Sequence, residues 1–243
     1  MTVDVLLYPV AANAGFLDGK IAVVIDVLRS SSTLAKALSN GAEAVFPFVT
    51  PEEAIGRRKD AERASVLLCG ERGGKKIPGF NLGNSPAEFS AKRVQGKILF
   101  FSSTNGSKAI LTASLRAREV LVGGFNNAAA AVSRLIRNKK NCVLVCAGQE
   151  GGFSLEDAVC AGMLAARIRA ATMEACLFSD AASASVLLYN HYKDGLVEMM
   201  HACEHGRALK RVGMESDLGP CAEIDSLHVL PVLQGGALRL AEP

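Results

Sequence analysis

Ala22-Val23-Val24-Ile25-Asp26-Val27-Leu28-Arg29-Ser30-Ser31-Ser32-Thr33 decides how the rest of the chain reads. Ala22 to Ile25 form an apolar run rich in β-branched residues, the pattern of a buried strand. A carboxylate closes the strand. Arginine, serines and a threonine follow, and a helical pattern then begins with Leu34, Ala35, Ala37 and Leu38. In an open α/β sheet, ligands sit outside the carboxyl ends of the strands. A helix start offers free N–H groups and the positive end of a dipole to an anion. Asp26 suits a hard cation, and Arg29 suits a phosphate or sulfonate fork. The plain alternative is a strand, a serine cap and a helix with no ligand at all.

Working outward, the same alternation recurs. Val3 to Leu7 reads as a short strand, followed by a loop through Asn13-Ala14-Gly15. The first helix should stop at Asn40-Gly41, where glycine suits a left-handed cap. Ala44 to Phe48 is a strand. Thr50-Pro51-Glu52-Glu53 starts a helix running to about residue 64, with a Thr cap and Pro at its first position. Val66 to Cys69 is again a strand. Gly70 to Pro86, GERGGKKIPGFNLGNSP, then breaks the pattern. A loop of this length in a compact domain is usually functional or disordered, and its Ile77, Phe80 and Leu82 argue against disorder. Glu71 and Arg72 follow a strand end directly, where a site would sit, although a crossover with solvated charges would look the same.

Ile98 to Phe101 is a strand, and Ser102-Ser103-Thr104-Asn105-Gly106-Ser107 is a second hydroxyl-rich helix start. Residues 19–48 and 96–125 align without a gap as strand, polar turn, helix, strand, which suggests a duplicated βα unit. Val120 to Gly123 and Cys142 to Ala147 are further strands. After the latter, Glu150, Glu156 and Asp157 place three acids within eight residues. Magnesium would need such a group, but Ser154-Leu155-Glu156-Asp157 also matches a capping box that merely answers the helix dipole. Helices are expected from Ser179-Asp180 to Tyr192, from Glu198 to Arg211, and from Glu215-Ser216-Asp217. Leu227 to Val232 reads as the last strand. His201 and His205 read as solvated or capping side chains, because no carboxylate stands at a metal-binding spacing. The whole is an α/β fold with a mainly parallel sheet and one domain over residues 1–243, its polar turns converging at one sheet edge.

The composition limits the partners. Net charge is +3, basic residues are scattered and Trp is absent, so no nucleic-acid surface is indicated. No apolar run is long enough for a membrane span. Seven cysteines without a CxxC pair, behind a start that carries Asp4 and no basic leader, fit reduced thiols in a cytoplasm. None has Arg six positions on, so the Cys-x5-Arg phosphatase loop is absent. A homodimer suits a chain of this size, and nothing locates its interface.

DVLRSSST, GERGGKKIPGFNLGNSP, STNGS, CAGQEGGFSLEDAVCAG, SDAA and HGRALKRVGMESDLGPCAEID together resemble the 2-phosphosulfolactate phosphatase family, in its order and over most of the chain. The resemblance implies a three-layer α/β/α architecture and a Mg2+-dependent hydrolase. Its substrate would be a small anionic phospho-acid, (R)-2-phospho-3-sulfolactate, cleaved to 3-sulfolactate and phosphate in coenzyme M biosynthesis. On that reading Asp26, Arg29, Glu71 and Arg72 are catalytic. Ser30, Ser31, Ser32, Thr33, Asn84, Ser85, Thr104, Asn105 and Gly106 cradle the substrate, while Asp26, Glu150, Glu156 and Asp157 are the metal candidates. Gln149 and Gly152 depart from the family pattern, and the second removes a cation. The D-x-D-x-[TV] strand end of haloacid dehalogenase phosphatases is absent, since residue 28 is Leu, which favours direct attack by water. The alternatives are a phosphatase for another phosphorylated carboxylic acid and a non-catalytic anion-binding module. A nucleotide-binding fold is disfavoured, because neither glycine-rich phosphate motif follows a strand.

Overall fold

The computed structural model describes residues 1–8, 15–59, 65–173 and 175–241. The loop through Asn13-Ala14 and the last turn of the helix expected to reach residue 64 lie outside them. In chain order the elements are β1 (Thr2–Leu6), β2 (Ile21–Ile25), α1 (Ser30–Ser39), β3 (Ala44–Pro47), α2 (Pro51–Lys59), β4 (Val66–Arg72) and β5 (Lys75–Lys76). Next come α3 (Ala91–Val94), β6 (Ile98–Ser102), α4 (Gly106–Ser114), β7 (Glu119–Gly123), α5 (Ala128–Asn138), β8 (Cys142–Cys146) and α6 (Leu155–Ala171). The chain closes with β9 (Leu177–Phe178), α7 (Asp180–Tyr192), α8 (Leu196–Ala202), α9 (Glu204–Arg211), α10 (Leu218–Ala222), β10 (Pro231–Gln234) and β11 (Ala237–Leu240). This is a three-layer α/β/α fold, and no helix among the described residues is long and apolar enough to cross a membrane.

The strands form one sheet in the order β5-β4-β6-β3-β11-β10-β7-β2-β8-β1-β9. β2 lies between β7 and β8 in parallel register, Val23 opposite Leu121 on one side and Leu144 on the other. Its residues alternate between two cores. Val23 and Ile25 join Leu135, Val159 and Leu164 from α5 and α6. Ala22 and Val24 join Leu34, Leu38 and Ile110 from α1 and α4. Helices cover both faces, which is why the strand is apolar throughout instead of alternating with polar residues.

The sheet is mainly parallel, with a correction at its centre. Val232 was expected to end the last strand, but β10 begins only at Pro231 and folds back on β11 as an antiparallel hairpin. Residues before it are held elsewhere, with Asp225 and Leu227 donating to the carbonyls of Phe125 and Asn126. The hairpin separates β4-β6-β3 from β7-β2-β8 and pairs antiparallel with both β3 and β7. Three antiparallel steps make the two blocks run in opposite senses, so the sheet has no single carboxyl edge. Five steps separate β6 from β2, and at roughly 20–25° of twist per step the rotation reaches about 100–125°. That coiling brings the carboxyl ends of β2 and β6 side by side.

The two units that align in sequence occupy equivalent places about this hairpin. Each first strand, β2 or β6, pairs with the second strand of the other unit, β7 or β3. α1 and α4 are the crossovers between the blocks.

Local side-chain caps explain several helix starts. Ser154 Oγ accepts from Asp157 N–H at 3.3 Å, and Ser179 Oγ from Ala182 N–H at 3.2 Å. Thr50 and Glu53 form a reciprocal capping box. The helix expected from Glu198 to Arg211 is two helices broken at Cys203, which is extended (ψ 160°) and caps α9 through Sγ on Gly206 N–H. The break places His201 and His205 on different helices.

α6 and α7 pack so closely at Gly162 that a Cβ there would stand 1.9 Å from the Ser185 carbonyl oxygen. Gly→Ala in an open helix gains about 1 kcal/mol. Gly162→Ala should instead destabilise the protein by about 1–3 kcal/mol through overpacking. Urea unfolding checks the sign, and a gain in stability would contradict the close approach.

Candidate active site

β2 and β6 both end in a polar turn and a helix start, and the two turns touch around one carboxylate. Asp26 is buried there, 6% exposed. Its Oδ1 accepts from Ser30 N–H at 3.3 Å, and its carbonyl from Ser31 N–H at 2.8 Å. From the other turn, Ser103 Oγ accepts from Ser30 Oγ at 3.1 Å. Gly106, the first residue of α4, has no room for a side chain. A Cβ would come within 2.5 Å of Asp26 Oδ2 and 2.6 Å of Ser30 Cβ.

A cavity of about 210 Å³ opens over Asp26. Of the residues singled out in the sequence, Asp26, Arg29, Ser30, Glu71, Asn84, Thr104, Asn105 and Glu150 line it. Glu71 is fixed by Gly74 N–H at 2.9 Å and Thr104 N–H at 2.8 Å, which ties the glycine-rich loop to the second helix start. That loop is folded, not disordered. Ile77, Phe80 and Leu82 are buried, and Lys75–Lys76 pair back on β4. Asn84 lines the cavity with a buried Oδ1 that has no hydrogen-bond partner among the described residues.

The other candidates stand behind the cavity wall, each spent on the protein itself. Ser31 Oγ accepts from Asp26 N–H at 2.9 Å, Ser32 Oγ donates to the Val27 carbonyl, and Thr33 Oγ1 donates to the Asn84 carbonyl at 2.8 Å. These hydroxyls brace the turn locally. Arg72 donates to the carbonyls of Glu71, Ser102 and Val49 and to Ser102 Oγ, stitching β4 to β6. Asp157 accepts from Val27 N–H at 2.8 Å and Gly148 N–H at 3.1 Å, joining the ends of β2 and β8. Arg29 lines the cavity, but its two terminal nitrogens bond Asp217 Oδ2 at 2.7 Å and the Gly74 carbonyl at 2.6 Å. Asp217 Oδ1 in turn accepts from Ser85 Oγ at 2.6 Å. The expected fork on an anion is therefore already filled from within.

Two residues enter that the sequence reading passed over. Asp217 is the counter-ion just described. His205, expected to be solvated or a cap, lines the cavity, and its Nδ1 lies 2.9 Å from Glu156 Oε1. Burial by itself would raise Glu156, but the bond and charge of His205 outweigh it and hold the carboxyl below its ordinary value. The same partner outweighs burial at His205 and raises the imidazole above its ordinary value. The pair is thus an ion pair, with Nε2 left for a ligand. Asp26 is raised by burial, with Glu71 adding to the rise and His205 opposing it.

A family model for 2-phosphosulpholactate phosphatase matches residues 9–236. The chain belongs to the 2-phosphosulfolactate phosphatase family. A probable 2-phosphosulfolactate phosphatase of Symbiobacterium thermophilum is 39% identical over 93% of this chain and 96% of its own. One of Thermotoga maritima is 36% identical over 99% of both chains. One of Microcystis aeruginosa is 39% identical over 87% of this chain and 88% of its own. The enzyme class that goes with the family is phosphoric monoester hydrolase.

In this phosphatase the six buried thiols are unsuited to nucleophilic attack. Burial pushes Cys142, Cys203 and Cys221 up to about 12, and raises Cys69, Cys146 and Cys160 as well. The four expected metal ligands are not gathered. Glu156 is spent on His205 and Asp157 on two backbone N–H groups, and among the described residues no three His, Cys, Asp or Glu form a metal cage. Mg2+ commonly rests on one or two carboxylates and the substrate's phosphate. Asp26, Glu71 and Glu150 on the cavity wall, with Asn84 Oδ1, fit that shared mode; Glu71 accepts from two backbone N–H groups as Asp157 does, but unlike Asp157 it faces the cavity.

Two outcomes follow from the charges. Removing Asp217 leaves Arg29 buried without its counter-ion, so Asp217→Ala should cost about 3–5 kcal/mol in urea unfolding; a loss under 1 kcal/mol would contradict a tightly buried pair. The Glu156 contribution to stability should be lost as pH falls through its lowered value. The His205 contribution should be full below 6.5 and lost as pH rises through its raised value. Unfolding free energies from pH 5 to 9 should therefore decline less steeply on the alkaline side in His205→Gln, and parallel curves would dismiss the pair.

Proposed function

We propose that this chain hydrolyses (R)-2-phospho-3-sulfolactate to 3-sulfolactate and phosphate, with Mg2+, as a step of coenzyme M biosynthesis. The observation that carries the reading is Asp26, held where the starts of α1 and α4 meet and facing the same cavity as His205. Family membership supports the reaction class, and the names of the relatives support the substrate. Mg2+ on Glu71 and Glu150 would neutralise charge on the phosphoryl oxygens.

The chain's own groups do the rest. The N–H groups of Asn105 and Gly106 at the start of α4, with the Thr104 hydroxyl, hold the phosphoryl group. Asp26 takes a proton from water as the water oxygen attacks phosphorus. The bond from phosphorus to the ester oxygen breaks, and His205 gives that oxygen a proton through Nε2. Glu156 holds the imidazole in position for the transfer. Arg29 acts indirectly, pinning the glycine-rich loop through Gly74. The loss of a cation at Gly152 favours a second reading, in which another phosphorylated carboxylic acid is the substrate.

Phosphate release from 2-phosphosulfolactate, 2-phospholactate and phosphoglycolate, with Mg2+ and with EDTA, tests the proposal. Release should be fastest from the sulfonate and lost in EDTA. Faster release from another phospho-acid would move the substrate, and none from any would end the proposal. Asp26→Asn should lower kcat by about 10²–10⁴ without unfolding the protein. A near-normal rate would remove Asp26 from the chemistry.

A further inference from the structure

Among the described residues three cations line the cavity, and two are already engaged. Arg29 is 2% exposed and bonded to Asp217 and to the Gly74 carbonyl. His205 is bonded to Glu156. The third is Arg211, the last residue of α9, which lines the cavity from an exposed position. Its basic neighbours on α9 are committed elsewhere: Lys210 Nζ to Glu215 at 2.9 Å, and Arg207 to the Ala202 carbonyl. Among the described residues, Arg211 has no ion-pair or hydrogen-bond partner for its guanidinium. Leu209 and Val212 beside it make the wall apolar, which strengthens any charge pairing made there.

The two ends of the cavity therefore differ. Asp26 and the helix starts form one end, with backbone N–H groups and carboxylates suited to a phosphoryl group and a metal. α9 brings an unpaired guanidinium to the same space. The substrate proposed above carries a sulfonate and a carboxylate besides its phosphoryl group and needs a second clamp, and a free fork suits a sulfonate through two parallel N–H···O bonds.

We propose that Arg211 is the specificity-determining residue of this phosphatase, gripping the substrate's sulfonate while the phosphoryl group sits at Asp26. The assignment rests on the substrate class proposed above and names the side chain that would read it.

Titration calorimetry with 3-sulfolactate and with inorganic phosphate, on the Mg2+-supplemented wild type, Arg211→Gln and Arg211→Lys, tests it. Charged hydrogen bonds of this kind are worth about tenfold to a hundredfold in affinity. Arg211→Gln should weaken 3-sulfolactate by at least about tenfold and phosphate by less than about twofold. Arg211→Lys should fall between, keeping the charge but not the fork. In turnover, the loss should sit in KM more than in kcat. Unchanged 3-sulfolactate affinity in Arg211→Gln, equal weakening of both ligands, or no 3-sulfolactate binding by the wild type would each overturn the assignment. Arg211-dependent binding of 3-sulfolactate without hydrolysis of its 2-phosphate would sink the proposed reaction and leave the assignment standing.

Discussion

Gly106 stands where a side chain would collide with Asp26 and Ser30, and the site depends on that missing side chain. Two helix starts can approach only if their first residues are small and their orphan N–H groups find acceptors. Asp26 accepts from Ser30 N–H and Ser103 Oγ from Ser107 N–H, and the glycine removes the steric obstacle. The approach is imposed from further away by the central hairpin. By separating two blocks of parallel strands, it lets sheet twist accumulate until the ends of β2 and β6 meet. Crossing α1 and α4 between the blocks then locks both turns into one cavity.

Around that contact, charge is layered. Asp217 neutralises Arg29, which holds the Gly74 carbonyl, and Glu71 holds the Gly74 amide. The glycine-rich loop is thus clamped from both sides by charged groups whose own partners come from distant parts of the chain. Asp157 clamps β2 to β8 in the same manner. Asp157 resembles a ligand in sequence, yet both its oxygens are taken by backbone amides behind the cavity wall, whereas Glu71 accepts from two amides and still faces the cavity. What remains open to a ligand is a smaller set: Asp26, Glu71 and Glu150 among the acids, His205 Nε2, the orphan oxygen of Asn84, and Arg211.

Much of this was legible in the residues. The strand-to-helix turns at Asp26 and at Thr104 announce themselves, because an apolar run ending in polar residues before a helix is a local pattern. So does the apolar content of the loop after β4. The role of each hydroxyl was not legible. Ser31, Ser32 and Thr33 brace the backbone, and a bracing serine and a ligand-binding serine at a helix start look alike in sequence. His205, Asp217 and Arg211 were missed for a different reason. Their meaning depends on the break at Cys203 and on partners far off in the chain, Asp217 being 188 residues from Arg29. The hairpin did carry a signal, since Gly235-Gly236 between two apolar runs is a two-residue turn.

A crystal structure with Mg2+ and orthovanadate would test the central claim, that the meeting of two helix starts around Asp26 forms the phosphoryl site. Vanadate should lie beside Asp26 within hydrogen-bonding distance of the Asn105 and Gly106 N–H groups, with His205 Nε2 facing one of its oxygens. Vanadate bound elsewhere, away from Asp26 and those N–H groups, would contradict it.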